Sequence, residues 1–400
     1  MTEAFLPYGR QSIEADDIAA VVEVLKGDWL TTGPAVSAFE ENFAERLGAA
    51  QAVACSSGTA ALHLASLGLE LGAGDTVIAP AMSFSATANG ARYTGAEVIF
   101  ADVDPDSGMM GAADFIQALE RAGDASVRAV FPVHLNGQCA APEAIAAIAR
   151  DRSISVIEDA CHAIGADYGD GRPIGACAHS DMAMFSLHGV KTMTAGEGGV
   201  LTTNDSGLAA RLRRLRNHGI TREAGDFRHA DMAFGPGGAV NPWYYELQEL
   251  GLNYRLTDIQ CALANSQLAK LDRFVARRRD LASRYDQLLA PLAPLVRPVA
   301  RSQDCRPAWH LYAVLIDFEA AAIDRGRLMG RLREAGIGTQ VHYIPIHLQP
   351  YYRERYGDIA LPGAMAYYER CLSLPLFPAM VDGDVERVVE CLGRALEDAQ

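Results

Sequence analysis

At 400 residues the chain exceeds the usual size of one hydrophobic core, so one large and one smaller domain are expected. Half of the residues are hydrophobic and 21% are charged, which excludes a disordered or fibrous chain. With 35 Lys and Arg against 50 Asp and Glu, the net charge is −15 and no long basic run occurs, so broad binding to nucleic acid or anionic membrane is disfavoured and any anionic ligand needs a local site.

The start, MTEAFLPYGRQ, lacks a basic stretch followed by an apolar one, and no run of about 18 uninterrupted apolar residues follows. A cytoplasmic protein is expected. In the first predicted helix Ile18, Val21, Val22 and Leu25 share a face and Gly27 ends it; the helix is expected to pack against something larger. Seven β-rich runs come next, at 51–57, 75–84, 96–104, 127–135, 154–162, 180–188 and 198–204, separated by helical stretches such as Ala60–Leu69 and Pro142–Arg152. Strand and helix in alternation, with several strands apolar almost throughout, predict an α/β fold with a mostly parallel seven-stranded sheet covered on both faces.

From 221 to 250 the segments GPGG and NPWYYELQEL break the pattern and read as a long loop. One long helical pattern spans Thr257–Leu289, followed by a strand at AWHLYAVLID, a helix at Arg325–Ala335, extended chain at TQVHYIP and a closing helix at Val385–Ala395. These predict a large domain over 1–250, with an N-terminal arm, and a smaller α+β domain over 251–400. Eight cysteines, at 55, 139, 161, 177, 261, 305, 371 and 391, form no CxxC pair and no metal-ligand spacing, so buried free thiols and no metal are expected.

Chemistry belongs in the loops at the carboxyl ends of parallel strands. After QAVAC come Ser56, Ser57, Gly58 and Thr59 at the start of a helix, where backbone N–H groups, hydroxyls and the helix dipole suit a phosphate; an ordinary helix cap reads the same way. After ISVI come Glu158, Asp159, Cys161 and His162, a capped turn or a carboxylate presented to a buried cation. At the end of the next strand stand Ser186, His188 and Lys191. A lysine there is usually a solvated loop residue, but Val190, Thr192, Met193 and GEGG around it suggest a tight, enclosed turn. Together the three sites meet the needs of pyridoxal phosphate: a phosphate cradle, a carboxylate for the pyridine nitrogen, and an amine to carry the aldehyde as a Schiff base.

The stretches "GDWLTTGPAVSAFE", "CSSGTAALHLA", "APAMSFSATAN", "IEDACHAIGA", "FSLHGVKTMTAGEGG" and "LNYRLTDIQCALANSQL" make the chain resemble the fold-type-I pyridoxal phosphate enzymes, and among them the sugar aminotransferases typified by DegT, DnrJ, EryC1 and StrS. "PYGRQSIEADDIAAVVEVL", "NPWYYELQELGLNYRLTDIQ", "AWHLYAVLI" and "GTQVHYIPIHLQPYYRERYGD" are similar to the transaminases of pseudaminic acid synthesis. That pattern more often has Ala where Gly58 stands, and Asn136 occupies a position where the wider family has tyrosine.

The resemblance implies Lys191 as the Schiff-base lysine, Asp159 as partner of the pyridine nitrogen and His188 beside them as a catalytic residue. It implies Ser57, Gly58, Thr59 and Ser186 around the phosphate, Phe84 over the ring and His162 near its phenolic oxygen. Asn253 would come from the neighbouring subunit, making a homodimer with shared sites. Arg255, His342, Tyr343 and His347 would lie near a sugar nucleotide, although for His342 and His347 a structural role is equally open, and Thr31 and Thr32 would meet the sugar or simply form a turn. The implied substrates are L-glutamate and a UDP-linked 4-keto-6-deoxy-N-acetylhexosamine, with UDP-4-amino-4,6-dideoxy-N-acetyl-β-L-altrosamine as product for flagellin or surface glycans. Other UDP-, dTDP- or GDP-linked keto sugars remain the alternative. A dehydratase of the same family would carry histidine where Lys191 stands; a non-catalytic regulator or a cofactor-free structural protein are the other classes.

Overall fold

A computed structural model describes residues 4–139 and 141–397. All seven β-rich runs join one sheet: β1 Gln51–Cys55, β2 Asp75–Pro80, β3 Glu97–Ala101, β4 Ser126–Val130, β5 Ser155–Asp159, β6 Met182–Ser186 and β7 Gly199–Thr203. Across the sheet they lie in the order β1-β7-β6-β5-β4-β2-β3. Six run the same way, and β7 is inserted antiparallel between β1 and β6. Residues such as Val77, Ile78, Val130, Ile157, Met184 and Leu201 are buried, because helices cover both faces as expected of near-continuous apolar strands.

Gly199 faces Cys55 on one side and Ser186 on the other. A Cβ there would stand 2.2 Å from the Ser57 carbonyl oxygen, so the insertion of β7 this close to the first loop depends on glycine. Gly199→Ala is expected to cost about 1–3 kcal/mol through overpacking, and to weaken cofactor binding by displacing Ser57. Urea titration and the dissociation constant of pyridoxal phosphate check both effects.

A second sheet is antiparallel and three-stranded, β8 Val296–Pro298, β9 Tyr312–Ile316 and β10 Cys371–Leu374, in the order β8-β9-β10. Its core takes in Tyr285 and Leu289 from the helix Leu271–Leu289, Leu328 and Leu332 from Arg325–Glu334, and Val385, Val388 and Leu392 from Asp382–Glu397.

Three elements differ from expectation. The helical pattern over 257–289 is two helices, Asp258–Leu268 and Leu271–Leu289, and Lys270 at the break sends Nζ to Asp16 and Asp17 at 2.6 and 2.7 Å. The first helix, Ala15–Lys26, packs against Asp258–Leu268 as expected of the helix, but through buried Asp17, which accepts hydrogen bonds from Ser266 and Gln267, while Ile18, Val22 and Leu25 are exposed on the single chain. The 221–250 segment is an excursion closed by pairing of Ile220–Thr221 with Glu246–Leu247, and buried Glu246 accepts from the Arg228 and His229 N–H groups and the Tyr244 hydroxyl. None of the eight cysteines forms a disulfide; five are buried and Cys161, Cys305 and Cys391 are half-buried. Among the described residues, no helix is long and apolar enough to cross a membrane.

Candidate functional site

The helix Gly58–Gly68 follows β1 directly, capped by Ser57, whose hydroxyl accepts from the Ala60 N–H at 3.1 Å. Ser186, at the end of β6, lies so close that a Cβ on Gly58 would come within 2.9 Å of its own Cβ. Two chain segments thus present hydroxyls and a helix N-terminus to one point, which suits a phosphate. The loop beyond Ser186 is folded back on itself: the Ala195 N–H and the Thr194 hydroxyl both donate to the Leu187 carbonyl, and Thr192, Met193 and Thr194 are buried. The enclosed turn expected around Lys191 is therefore present.

Lys191 projects into a cavity of about 410 Å³, the order of size of a small-molecule site. Burial pushes its ammonium pKa down, opposed by the nearby Cys161 thiol and Asp159 carboxylate. Asp159 ends β5 and also lines the cavity; its Oδ2 accepts from the Thr87 hydroxyl at 2.6 Å and its Oδ1 from the Cys161 N–H at 3.2 Å. The preceding residue, Glu158, turns to the opposite face of the strand, as the alternation of a β-strand requires. There it is bound by His134 at 3.0 Å, by Tyr168 and by Ser180. Burial raises the Glu158 pKa, but these partners outweigh it and the net shift is downward.

His162, His310 and His342 form a buried imidazole cluster on the cavity wall. His162 Nε2 meets the Tyr343 hydroxyl at 3.0 Å, and its ring centroid is 4.5 Å from that of His310. His342 Nδ1 meets Ser373 Oγ at 2.8 Å. Burial first, and then the Lys191 charge, pushes all three pKa values down, that of His342 to about 3. Arg278, itself buried, donates to the carbonyls of Trp309, His310 and Leu376 and so ties the strand entrance bearing His310 to the second sheet. Since the unfolded chain takes up protons on these histidines near pH 6.5 and the folded chain does not, stability must fall as pH drops below about 6.5. His342, pushed down to about 3, accounts for roughly 2 kcal/mol of that loss between pH 6.5 and 5, and His162 and His310 act in the same direction. His342→Gln is expected to recover its share of the loss, read from urea midpoints at pH 7 and pH 5.

Of the residues singled out in the sequence, Ser57, Gly58, Thr59, Phe84, Asp159, His162, Ser186, His188, Lys191, His342 and Tyr343 share this cavity. Phe84 is 59% exposed, with its ring 6.0 Å from that of Tyr343. The other five lie elsewhere on the chain. Thr32 and Arg255 line a separate cavity of about 450 Å³, where Arg255 donates to Asn217 at 2.7 Å, and Thr31 bridges to Thr257. Asn253 is exposed and bridges to Asn217. His347 is buried against Phe100, ring centroids 6.5 Å apart, and does not line either cavity. Tyr8, Ser83, Thr87, Glu197 and His310 also line the first cavity, although the sequence reading gave them no role. Ser83, Thr87 and His310 sit inside "APAMSFSATAN" and "AWHLYAVLI", so the motif carried a signal even where the single residues did not. Among the described residues one exposed group away from the cavity, Glu143, Asp170 and His179, brings potential metal-ligand atoms within 4.8 Å of one another, and Arg172 occupies Asp170 at 2.5 Å.

Lined by a cradle that suits a phosphate, a carboxylate and a desolvated lysine, the cavity fits pyridoxal phosphate. The sequence profile of the DegT/DnrJ/EryC1/StrS aminotransferase family matches residues 11–393. SpsC of Bacillus subtilis (strain 168), a spore coat polysaccharide biosynthesis protein, is 39% identical over 391 residues, 97% of this chain and 96% of the relative. Among solved structures, Helicobacter pylori PseC, an aminotransferase involved in the biosynthesis of pseudaminic acid, has a TM-score of 0.86 at 26% identity, with 98% of this chain and 100% of that chain covered. Spr1654 of Streptococcus pneumoniae, described as a sugar aminotransferase and solved in its PLP form, also gives 0.86 at 26% identity, covering 99% and 100%. Agreement of this extent decides the family: the chain belongs to the DegT/DnrJ/EryC1/StrS aminotransferases and is a pyridoxal phosphate-dependent sugar aminotransferase.

Proposed function

We propose that this enzyme moves the amino group of L-glutamate to C4 of a UDP-linked 4-keto-6-deoxy-N-acetylhexosamine in the cytoplasm, giving UDP-4-amino-4,6-dideoxy-N-acetyl-β-L-altrosamine. The observation that carries the reaction is the desolvated Lys191 amine in the same cavity as Asp159 and the Ser57–Ser186 cradle. Bound pyridoxal phosphate supplies an aldehyde and a ring that accepts electrons. Lys191 Nζ would take a proton from the donor-derived carbon and return it at the other carbon, a role that burial favours by pushing its pKa down. Asp159 would hold a proton on the ring nitrogen, Ser57, Gly58, Thr59 and Ser186 would bind the phosphate, and Phe84 and His162, the latter tethered by Tyr343, would lie against the ring.

Asn253 completes the phosphate site of a second copy. Support comes from its exposure next to an excursion that leaves Trp243, Tyr245, Leu247 and Leu250 uncovered, an apolar surface unusual for a lone chain. Mixing Lys191→Ala with Asn253→Ala subunits should restore activity in mixed dimers. No recovery after proven subunit exchange would remove the shared site.

The likeness to PseC supports the sugar. A second reading, favoured by the 39% identity to SpsC, is amination of a different nucleotide-linked keto sugar destined for a surface polysaccharide. Incubation with glutamate and a panel of UDP-, GDP- and dTDP-linked 4-keto sugars, with products identified by mass spectrometry and NMR, separates the two. A preference for GDP or dTDP, or amination at C3, overturns the first reading.

A further inference from the structure

The Asp159 carboxylate is held by a hydroxyl chain that the chemistry above leaves without a role. Thr87, fully buried in the short helix Ala86–Arg92, places Oγ1 2.6 Å from Asp159 Oδ2, and Ser83 Oγ lies 2.7 Å from Thr87 Oγ1. An ionised carboxylate only accepts and a hydroxyl has one proton, so the direction of the chain is fixed: Thr87 donates to Asp159 and Ser83 donates to Thr87. Thr87 therefore spends its proton across the cavity wall rather than on a carbonyl of its own helix, the common alternative for a helical threonine. The other carboxylate oxygen has only the longer bond from the Cys161 N–H, so lone pairs remain for a cationic N–H in the cavity. The same turn carries Phe84 between the two hydroxyls.

We propose that Thr87 is a positioning residue which, backed by Ser83, locks the rotamer of Asp159 toward the ring nitrogen of the cofactor and ties that carboxylate to the turn presenting Phe84. The proposal rests on the reading of Asp159 as partner of the ring nitrogen. A hydrogen bond to a charged group is worth roughly ten- to a hundredfold in an equilibrium, and a comparable loss is expected when it is removed.

The test uses Thr87→Val, which keeps the volume and removes the hydroxyl, beside Thr87→Ser. Thr87→Val should lower kcat by about 10- to 100-fold and raise the dissociation constant of pyridoxal phosphate by about 10-fold, with KM for glutamate within about twofold of wild type. It should also displace the pH midpoint at which the absorbance of bound cofactor changes. Thr87→Ser should bring all of these back to within about threefold. Wild-type kcat and an unmoved absorbance midpoint in Thr87→Val, or equal losses in Thr87→Ser, overturn the proposal. Should Thr87→Val fail to fold, Ser83→Ala probes the same chain from its far end: a shift of the midpoint in the same direction sustains it, and none overturns it. Asp159→Asn measured alongside keeps the two ideas apart, because wild-type rate and spectrum in that variant would dispose of the Asp159 reading itself.

Discussion

Lys191→Ala is expected to lower turnover by about 10⁴-fold or more, since on the proposed roles the variant loses both the covalent anchor and the group that moves the proton, and proton transfer alone is worth up to about 10⁴. The cradle of Ser57, Gly58, Thr59 and Ser186 remains intact in that variant, so pyridoxal phosphate should still bind noncovalently. Two measurements check this. Steady-state rates with glutamate give the loss, and borohydride treatment followed by peptide mass spectrometry should find the cofactor attached at Lys191 in wild type and nowhere in the variant. Retained activity with the cofactor fixed at another lysine would disprove the assignment. Replacement by another amine-free side chain of similar length, Lys191→Met, should behave in the same way while preserving the packing of the loop.

Asp159→Asn should bind cofactor and lose about 10²–10³ in kcat, the scale on which a charge opposite a developing charge acts in a water-poor site. The amide is nearly isosteric, so Thr87 can still donate to its oxygen. What disappears is the negative charge proposed to keep the ring nitrogen protonated. KM for the sugar should change little, because the carboxylate works on the reacting cofactor and not on the nucleotide. A variant with near-wild-type kcat would remove Asp159 from the chemistry.

The strands were legible because they are buried on both faces and therefore read as apolar runs with few interruptions, and the loops that follow β1, β5 and β6 could be located from them. What escaped was decided by distant partners. No Gly or Pro marks the break between Asp258–Leu268 and Leu271–Leu289; it falls at Lys270, whose amine reaches Asp16 and Asp17 some 250 residues earlier. The same contact buries Asp17, so the polar side of the first helix turns inward and its apolar stripe outward, against the rule that periodicity alone would apply. Asn136 is buried with a φ of 62°, a conformation asparagine tolerates better than most residues, and it donates to the Tyr367 hydroxyl. In the site, motif membership located most of the cavity wall. It could not separate His342, on the wall, from His347, packed under Phe100, because both stand in one motif and only the path of the backbone divides them. Thr32, Arg255 and Asn253 lie away from Lys191 on this chain, a placement that no local pattern encodes.

The antiparallel insertion of β7 also sets the order in which the protein can be assembled during synthesis. Among the described residues the only neighbour of β1 in the sheet is β7, so Gln51–Cys55 has no strand to pair with until Gly199–Thr203 has left the ribosome. At about 5–20 residues per second, the roughly 145 intervening residues take about 7–30 s. Through that interval the nascent chain carries an unpaired apolar strand, and the Ser57–Ser186 cradle has no framework to hold it. Cofactor loading at the Ser57–Ser186 cradle is therefore expected only after the sheet edge has closed.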